Sequence, residues 1–233
     1  MLRRFESVVS GLVAIAAVAI AAALVHREFF AKPEPRTISI ERGPPTFLDN
    51  WEEIVPNGIV LGSASAMVKI VEFADLECPF CARFHRVIKD VLQAYPDSVA
   101  LVFVHLPLKS IHRFANPAAL AAECAAAEGR FSAFIDAVFE KQDSLGLKNW
   151  SGFAREAGIR DTANFERCRA TLKKHARVDA GMALAEKLNI TGTPTVIVNG
   201  WRFPTAPVDS QLRNVIRNLL DGRSAFESQR AGQ

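Results

Sequence analysis

The stretch "MVKIVEFADLECPFCARF", residues 67–84, decides how the rest of the chain is read. Its first seven residues are apolar on both faces apart from Lys69, with Glu72 set among them. A run of that kind suits a central strand covered on both sides. Cys78 and Cys81 follow, separated by Pro79 and Phe80. Phe80, Phe84, Val87, Ile88, Val91, Leu92 and Tyr95 then recur at three- and four-residue spacing, with Arg83, Arg86, Lys89 and Gln93 opposite, which predicts an amphipathic helix. Pro96 ends it. "SVALVFV", residues 98–104, is another continuous apolar run. Strand, helix and strand in so short a span make a βαβ unit with parallel strands.

"GIVLG", residues 58–62, is a further strand candidate ahead of this unit. After it comes a helical block. Asn116 and Pro117 read as an N-cap and a first-turn proline, and that helix runs to about Glu128. Further helices are predicted near 131–142, 149–157, 162–172 and 176–188, with Asp161 capping the fourth of the block. In "TVIVNGWRF", residues 195–203, Asn199-Gly200 between apolar runs predicts a hairpin. "VDSQLRNVIRNLL", residues 208–220, closes as an amphipathic helix. The order is βαβ, a helical insert at about 112–188, then ββα.

The N-terminus bears on compartment. Arg3 and Arg4 precede "SVVSGLVAIAAVAIAAALV", residues 7–25, in which Ser7 and Ser10 are the only polar side chains. Nineteen helical residues reach roughly 28 Å, close to the ~30 Å hydrocarbon core of a bilayer. We read a transmembrane signal-anchor at 7–25 behind a cytoplasmic stub at 1–6. A cleaved signal peptide, with Ala21 and Ala23 as its A-x-A site, is the alternative. Both place the body outside the cytoplasm, in the periplasm or its equivalent. Residues 26–57, which hold Pro33, Pro35, Pro44, Pro45 and Pro56, read as a linker. The expected folded domain is 58–222, followed by a flexible tail at 223–233.

The chain has 233 residues, 49% of them hydrophobic, and a net charge of +3. The basic residues are scattered among acidic ones, which argues against a nucleic-acid surface. There are four cysteines: Cys78, Cys81, Cys124 and Cys168. A Cys₄ zinc site would ordinarily use two closely spaced pairs; here only Cys78 and Cys81 are so spaced, and no metal site is expected. Pro79 suits the first turn of a helix because its missing N–H costs nothing there. Cys78 then caps the helix, where free N–H groups favour an anion and lower a thiol's pKa. Cys81 lies one turn inward. One activated sulfur and one sheltered sulfur is the arrangement that disulfide exchange needs.

"TGTPT", residues 191–195, stands just before the hairpin. Cys-Pro-Phe-Cys after an apolar strand, a large helical insert, and Thr-Gly-Thr-Pro ahead of Asn-Gly together resemble the DsbA-like thiol:disulfide oxidoreductases, over roughly residues 58–220. The resemblance implies a thioredoxin fold with an inserted helical domain. It implies that Pro194 is cis and packs beside Cys78, and that the backbone of Thr193 holds an extended substrate segment. It implies that Glu72 is a buried acid beneath the cysteines that aids proton transfer to Cys81; by its residue pattern alone, Glu72 is equally a strand-end surface charge. Cys124 and Cys168 read from the residues alone as either inert buried thiols or a bridge, and some relatives carry a structural disulfide at matching places.

The activity implied is oxidation of cysteine pairs in exported proteins through the Cys78–Cys81 disulfide, without a cofactor, by a monomer reoxidised by a DsbB-like membrane partner. Disulfide reduction or isomerisation, and a non-redox binding or chaperone role, are the alternatives. The chain departs from the family's founding member at Phe80, where that protein has His; Phe80 offers no donor to a thiolate. His85 and His112 read as ordinary surface residues.

Overall fold

The computed structural model describes residues 43–227. The expected stub at 1–6, the apolar span at 7–25, the linker up to 42 and the tail beyond 227 lie outside the described residues. Among the described residues no helix is long and apolar enough to cross a membrane.

In chain order the strands are Thr46–Phe47 (β1), Ile59–Gly62 (β2), Val68–Ala74 (β3), Val99–His105 (β4), Thr195–Val198 (β5) and Trp201–Arg202 (β6). The helices are Pro79–Ala94 (α1), Ala115–Ala127 (α2), Phe131–Glu140 (α3), Trp150–Glu156 (α4), Thr162–Thr171 (α5), Ala176–Lys187 (α6) and Asp209–Leu220 (α7). The strands form one sheet in the order β1-β6-β5-β3-β4-β2. β3 is parallel to β4 and antiparallel to β5. β2 closes one edge antiparallel to β4, and β1 closes the other antiparallel to β6. The β5–β6 turn uses Asn199 at φ 42° and Gly200 at φ 88°, the two positive values that a tight two-residue hairpin requires. Asn199 also ties the hairpin to β3. Its Oδ1 accepts from the Lys69 N–H at 2.7 Å, and its Nδ2 donates to the Met67 carbonyl at 3.0 Å.

Alternation along the strands divides the interior in two. Val68, Ile70, Leu101, Phe103, Val196 and Val198 face α1 and α7. Val71, Phe73, Val102, Val104 and Ile197 face the other way, toward α6 and a 3-10 helix at Trp51–Asn57. The helical block continues the first of these cores, with Phe134, Phe153 and Phe165 fully buried in it. The stretch 112–188 therefore divides: α2 to α5 extend the core on the α1 side, while α6 covers the back of the sheet. Gly181 makes that contact possible, because a Cβ there would lie 2.2 Å from the His105 carbonyl oxygen. A buried carboxylate joins the parts. Glu123 of α2 takes Arg177 of α6 on both oxygens, and His105 Nε2 of β4 lies 3.1 Å away without hydrogen-bond alignment. Burial opposes its charge, but the His105 and Arg177 partners outweigh that and hold its pKa at about 2.

Both junctions of the body differ from the expectation. The linker reading through 57 overruns the fold: β1 pairs with β6, and Ile54 is buried against the back face with Trp51 and Val55 beside it. Proline content suggested a spacer, but Pro56 sits inside the 3-10 helix. The tail reading from 223 also gives way. Asn218 Nδ2 donates to the carbonyls of Ala225 and Glu227 at 3.1 and 2.9 Å, and Ala225 is buried.

Candidate active site

α1 begins at Pro79, with Cys78 as its N-cap in extended conformation. Proline presets the first turn, and the cap residue leaves the free N–H groups of that turn pointing past its side chain. Both cysteines are free thiols. Cys81 is fully buried, and Cys78 keeps 4% of its surface open. The antiparallel pairing of β3 with β5 sets Phe73 against Thr195. From there the two chains run on to bring residues 78 and 193 together. The Thr193–Pro194 peptide bond is cis, and Cys78 Sγ lies 3.4 Å from the Thr193 carbonyl oxygen as a donor.

The two sulfurs are driven apart electrically. The Cys78 pKa is lowered to about 6, chiefly by the Cys81 thiol donating to its sulfur; burial opposes this, and the backbone N–H groups of Cys81 and Phe80 at the helix start add to it. Cys81 is pushed well above the ordinary thiol value, first by burial, then by its own donation to Cys78 and by the charges of Glu72 and Cys78. Glu72 lies on the same strand face as Val68 and Ile70, fully buried, and neither carboxylate oxygen has a hydrogen-bond partner. Burial, then the nearby Cys78 charge, raises it to about 8. A carboxylic acid that keeps its proton at neutral pH beneath an exchanging thiol pair is able to give that proton up.

Phe80 is 59% exposed, and the Arg83 guanidinium lies 5.4 Å from its ring centroid. Cys124 of α2 and Cys168 of α5 are joined by a disulfide with Cα atoms 5.9 Å apart. Among the described residues no cluster of three His, Cys, Asp or Glu side chains is placed to hold a metal.

The sequence reading missed the groups that hold the turn before α1. Gln142 Nε2, from the short 3-10 helix Gln142–Ser144, donates to the carbonyls of Leu76 and Cys78 at 2.9 and 3.0 Å. Asp75 is buried, and its carboxylate accepts from the Glu77 and Leu108 N–H groups and from His112 Nδ1, each at 2.8 Å. No local signal separates a Gln 64 residues away from any other polar residue. The surface reading of His85 and His112 is corrected here as well. His85 is buried between α1 and α3, with Nε2 2.6 Å from Asp136 Oδ1, because the insert covers that side of the helix. His112 is occupied by Asp75.

Residues 55–218 match the family model described as Thioredoxin, well over half of the chain. The chain belongs to the thioredoxin family. Within that family it is similar to a thioredoxin-like oxidoreductase from Silicibacter pomeroyi DSS-3, with 31% identity and a TM-score of 0.60 over 72% of this chain and 92% of that one. BdbD from Bacillus subtilis, in its oxidised form, is 25% identical with a TM-score of 0.63 over 77% and 97%. Alpha-DsbA1 of Wolbachia pipientis shares the fold at 24% identity and a TM-score of 0.61, over 72% and 92%. This thioredoxin-family chain is a DsbA-like thiol:disulfide oxidoreductase. Among curated proteins, Na(+)/H(+) antiporter NhaA 3 of Salinispora tropica is 35% identical over 143 residues, which is 61% of this chain and 22% of the antiporter. The chain spans about a fifth to a quarter of the length of the curated relatives it matches.

Proposed function

We propose that this oxidoreductase works outside the cytoplasm and oxidises cysteine pairs in exported proteins. The observation that carries the reading is the asymmetry of the dithiol: Cys78 titrates near 6 at a helix start, and Cys81 is buried with a raised pKa. Whatever stabilises the Cys78 thiolate favours the reduced enzyme and makes its disulfide the stronger oxidant.

In this reading a substrate thiolate attacks Cys78 Sγ of the Cys78–Cys81 disulfide. A substrate–Cys78 disulfide forms, and Cys81 leaves as a thiolate. Glu72, still protonated at neutral pH, supplies the proton that Cys81 takes up. A second substrate thiolate then attacks the substrate sulfur. The substrate disulfide closes, and Cys78 departs as a thiolate already stable at neutral pH. The Thr193 backbone and Pro194, beside Cys78, hold the substrate extended during both attacks. Two electrons have passed from substrate to enzyme, and a DsbB-like membrane partner takes them away.

The Cys124–Cys168 bridge supports an oxidising compartment. The apolar stretch 7–25 supports an inner-membrane, single-pass anchor, with a soluble periplasmic form after cleavage as the alternative. The likeness to part of several Na(+)/H(+) antiporters favours work beside a membrane. We assign the chain a monomeric state and no nucleic-acid partner.

Equilibration with glutathione tests the direction. The potential should lie well above the ~−270 mV of thioredoxin, on the side of the ~−120 mV of DsbA. A value at or below that of thioredoxin would make the chain a reductase. Cys81→Ala should trap substrates on Cys78 in cells, and those substrates should be exported proteins.

A further inference from the structure

Asp75 touches both cysteines, yet the chemistry above makes no use of it. Its carbonyl accepts from the Cys78 N–H at 3.1 Å. Its own N–H donates to Cys81 Sγ at 3.5 Å, the one backbone donor to that sulfur among the described residues. Its carboxylate is fully shielded from solvent, and its hydrogen-bond partners lie elsewhere than the cysteines. One oxygen closes a local turn on the Glu77 N–H, and the other takes the Leu108 N–H and His112 Nδ1. Leu108 and His112 belong to the connection between β4 and α2, so the anchor is tertiary.

We infer that Asp75 is a positioning residue for the leaving sulfur: its side chain, pinned by Glu77, Leu108 and His112, holds its own N–H on Cys81. The inference rests on the exchange reaction proposed above and deepens it. In the first step R–S⁻ attacks Cys78, the Cys78–Cys81 bond breaks, and the electron pair of that bond goes to Cys81. That sulfur is fully buried, and burial disfavours a thiolate there. A hydrogen bond already aimed at the sulfur strengthens as the charge develops, at no cost of reorientation. In the second step the leaving sulfur is Cys78, so the N–H of Asp75 has no part in it. A side chain that served only to fold the turn would affect both steps, because the same turn carries Cys78.

The experiment uses the full chain and glutathione as attacking thiol. For the first step, oxidised protein is mixed with reduced glutathione and mixed-disulfide formation is timed. For the second, the Cys78–glutathione disulfide is prepared in Cys81→Ala and its release by a second glutathione is timed. Asp75→Asn, whose amide would point a donor at the Leu108 N–H and His112, should slow the first step about tenfold, the scale of one hydrogen bond to a charged group. The second step and the Cys78 thiolate absorbance should stay as in wild type. His112→Leu, at a residue 19% exposed in its side chain, should slow the first step by less and again spare the second; it carries the test if Asp75→Asn fails to fold. An unchanged first step, or equal slowing of both steps, in the folded variants overturns the inference. A wild-type chain that exchanged in neither step would overturn the proposed chemistry, and the inference with it.

Discussion

Replacing Glu72 by Gln should change how stability depends on pH. Burial raises Glu72 from its ordinary value of 4.5 to about 8 in the folded protein. Between those values the unfolded chain has released the proton and the folded protein has kept it. Folding then takes up a proton, so stability falls as pH rises. The contribution of Glu72 is fully present below about 4.5 and lost as pH rises through about 8. In the falling range each pH unit costs about 1.4 kcal/mol. Gln at the same place has no charge to suppress and no such slope. From pH 5 to pH 7 the stability difference between variant and wild type should therefore move about 3 kcal/mol in favour of the variant. The new amide N–H groups lack partners among the apolar neighbours and cost something of their own, but that cost does not vary with pH. The slope is thus the test, not the absolute value. Urea unfolding of both reduced proteins at half-unit steps from pH 5 to pH 7.5 measures it. A gap that stayed flat would mean that Glu72 carries its charge at neutral pH, and the burial argument would be wrong. Exchange should also be slower in the variant at neutral pH, because Gln has no proton to give Cys81.

Thiolate absorbance of the reduced protein should rise with a midpoint near the value of about 6 for Cys78, and Phe80→His, by adding a donor beside the sulfur, should move it lower and make the disulfide more oxidising; an unchanged or higher midpoint would show that this position does not tune the site. Opening the bridge with Cys124→Ala plus Cys168→Ala should lower stability by up to about 4 kcal/mol, from loop entropy over the 44-residue separation, seen as a drop in the urea midpoint with exchange at Cys78 preserved. Gly181→Ala should destabilise by about 2 kcal/mol or more, because the new Cβ meets the His105 carbonyl rather than a movable side chain; a variant as stable as wild type would mean that α6 sits more loosely on the sheet than described.

Local pattern determined a large part of this protein. The apolar run ending at Phe73, the three-four spacing from Phe80 and the second run ending at Val104 each specify an element from within. Each of these three elements lies within two residues of its predicted bounds. Pro79 after Cys78 is a statement about one helical turn, and Asn199-Gly200 about one hairpin, so both are legible where they stand. The family likeness rests on such local motifs in their order.

Tertiary structure alone decided what each local feature faces. Periodicity says which side of a helix is apolar, but not which element will cover the polar side; His85 is buried because α3 brings Asp136 against it. Composition marked residues up to 57 as spacer, while Leu48, Trp51, Ile54 and Val55 among them found the back of the sheet. Strand alternation put Glu72 on a face, but the absence of any partner for its carboxylate, and hence its raised pKa, depends on everything packed above it. Thr193 meets Cys78 across 115 residues, and Gln142 and His112 reach the same turn from two other places in the chain. Hydrogen bonds of that kind are made by side chains and carbonyls with no periodic signature, and their partners are chosen only when the sheet and the insert close around them.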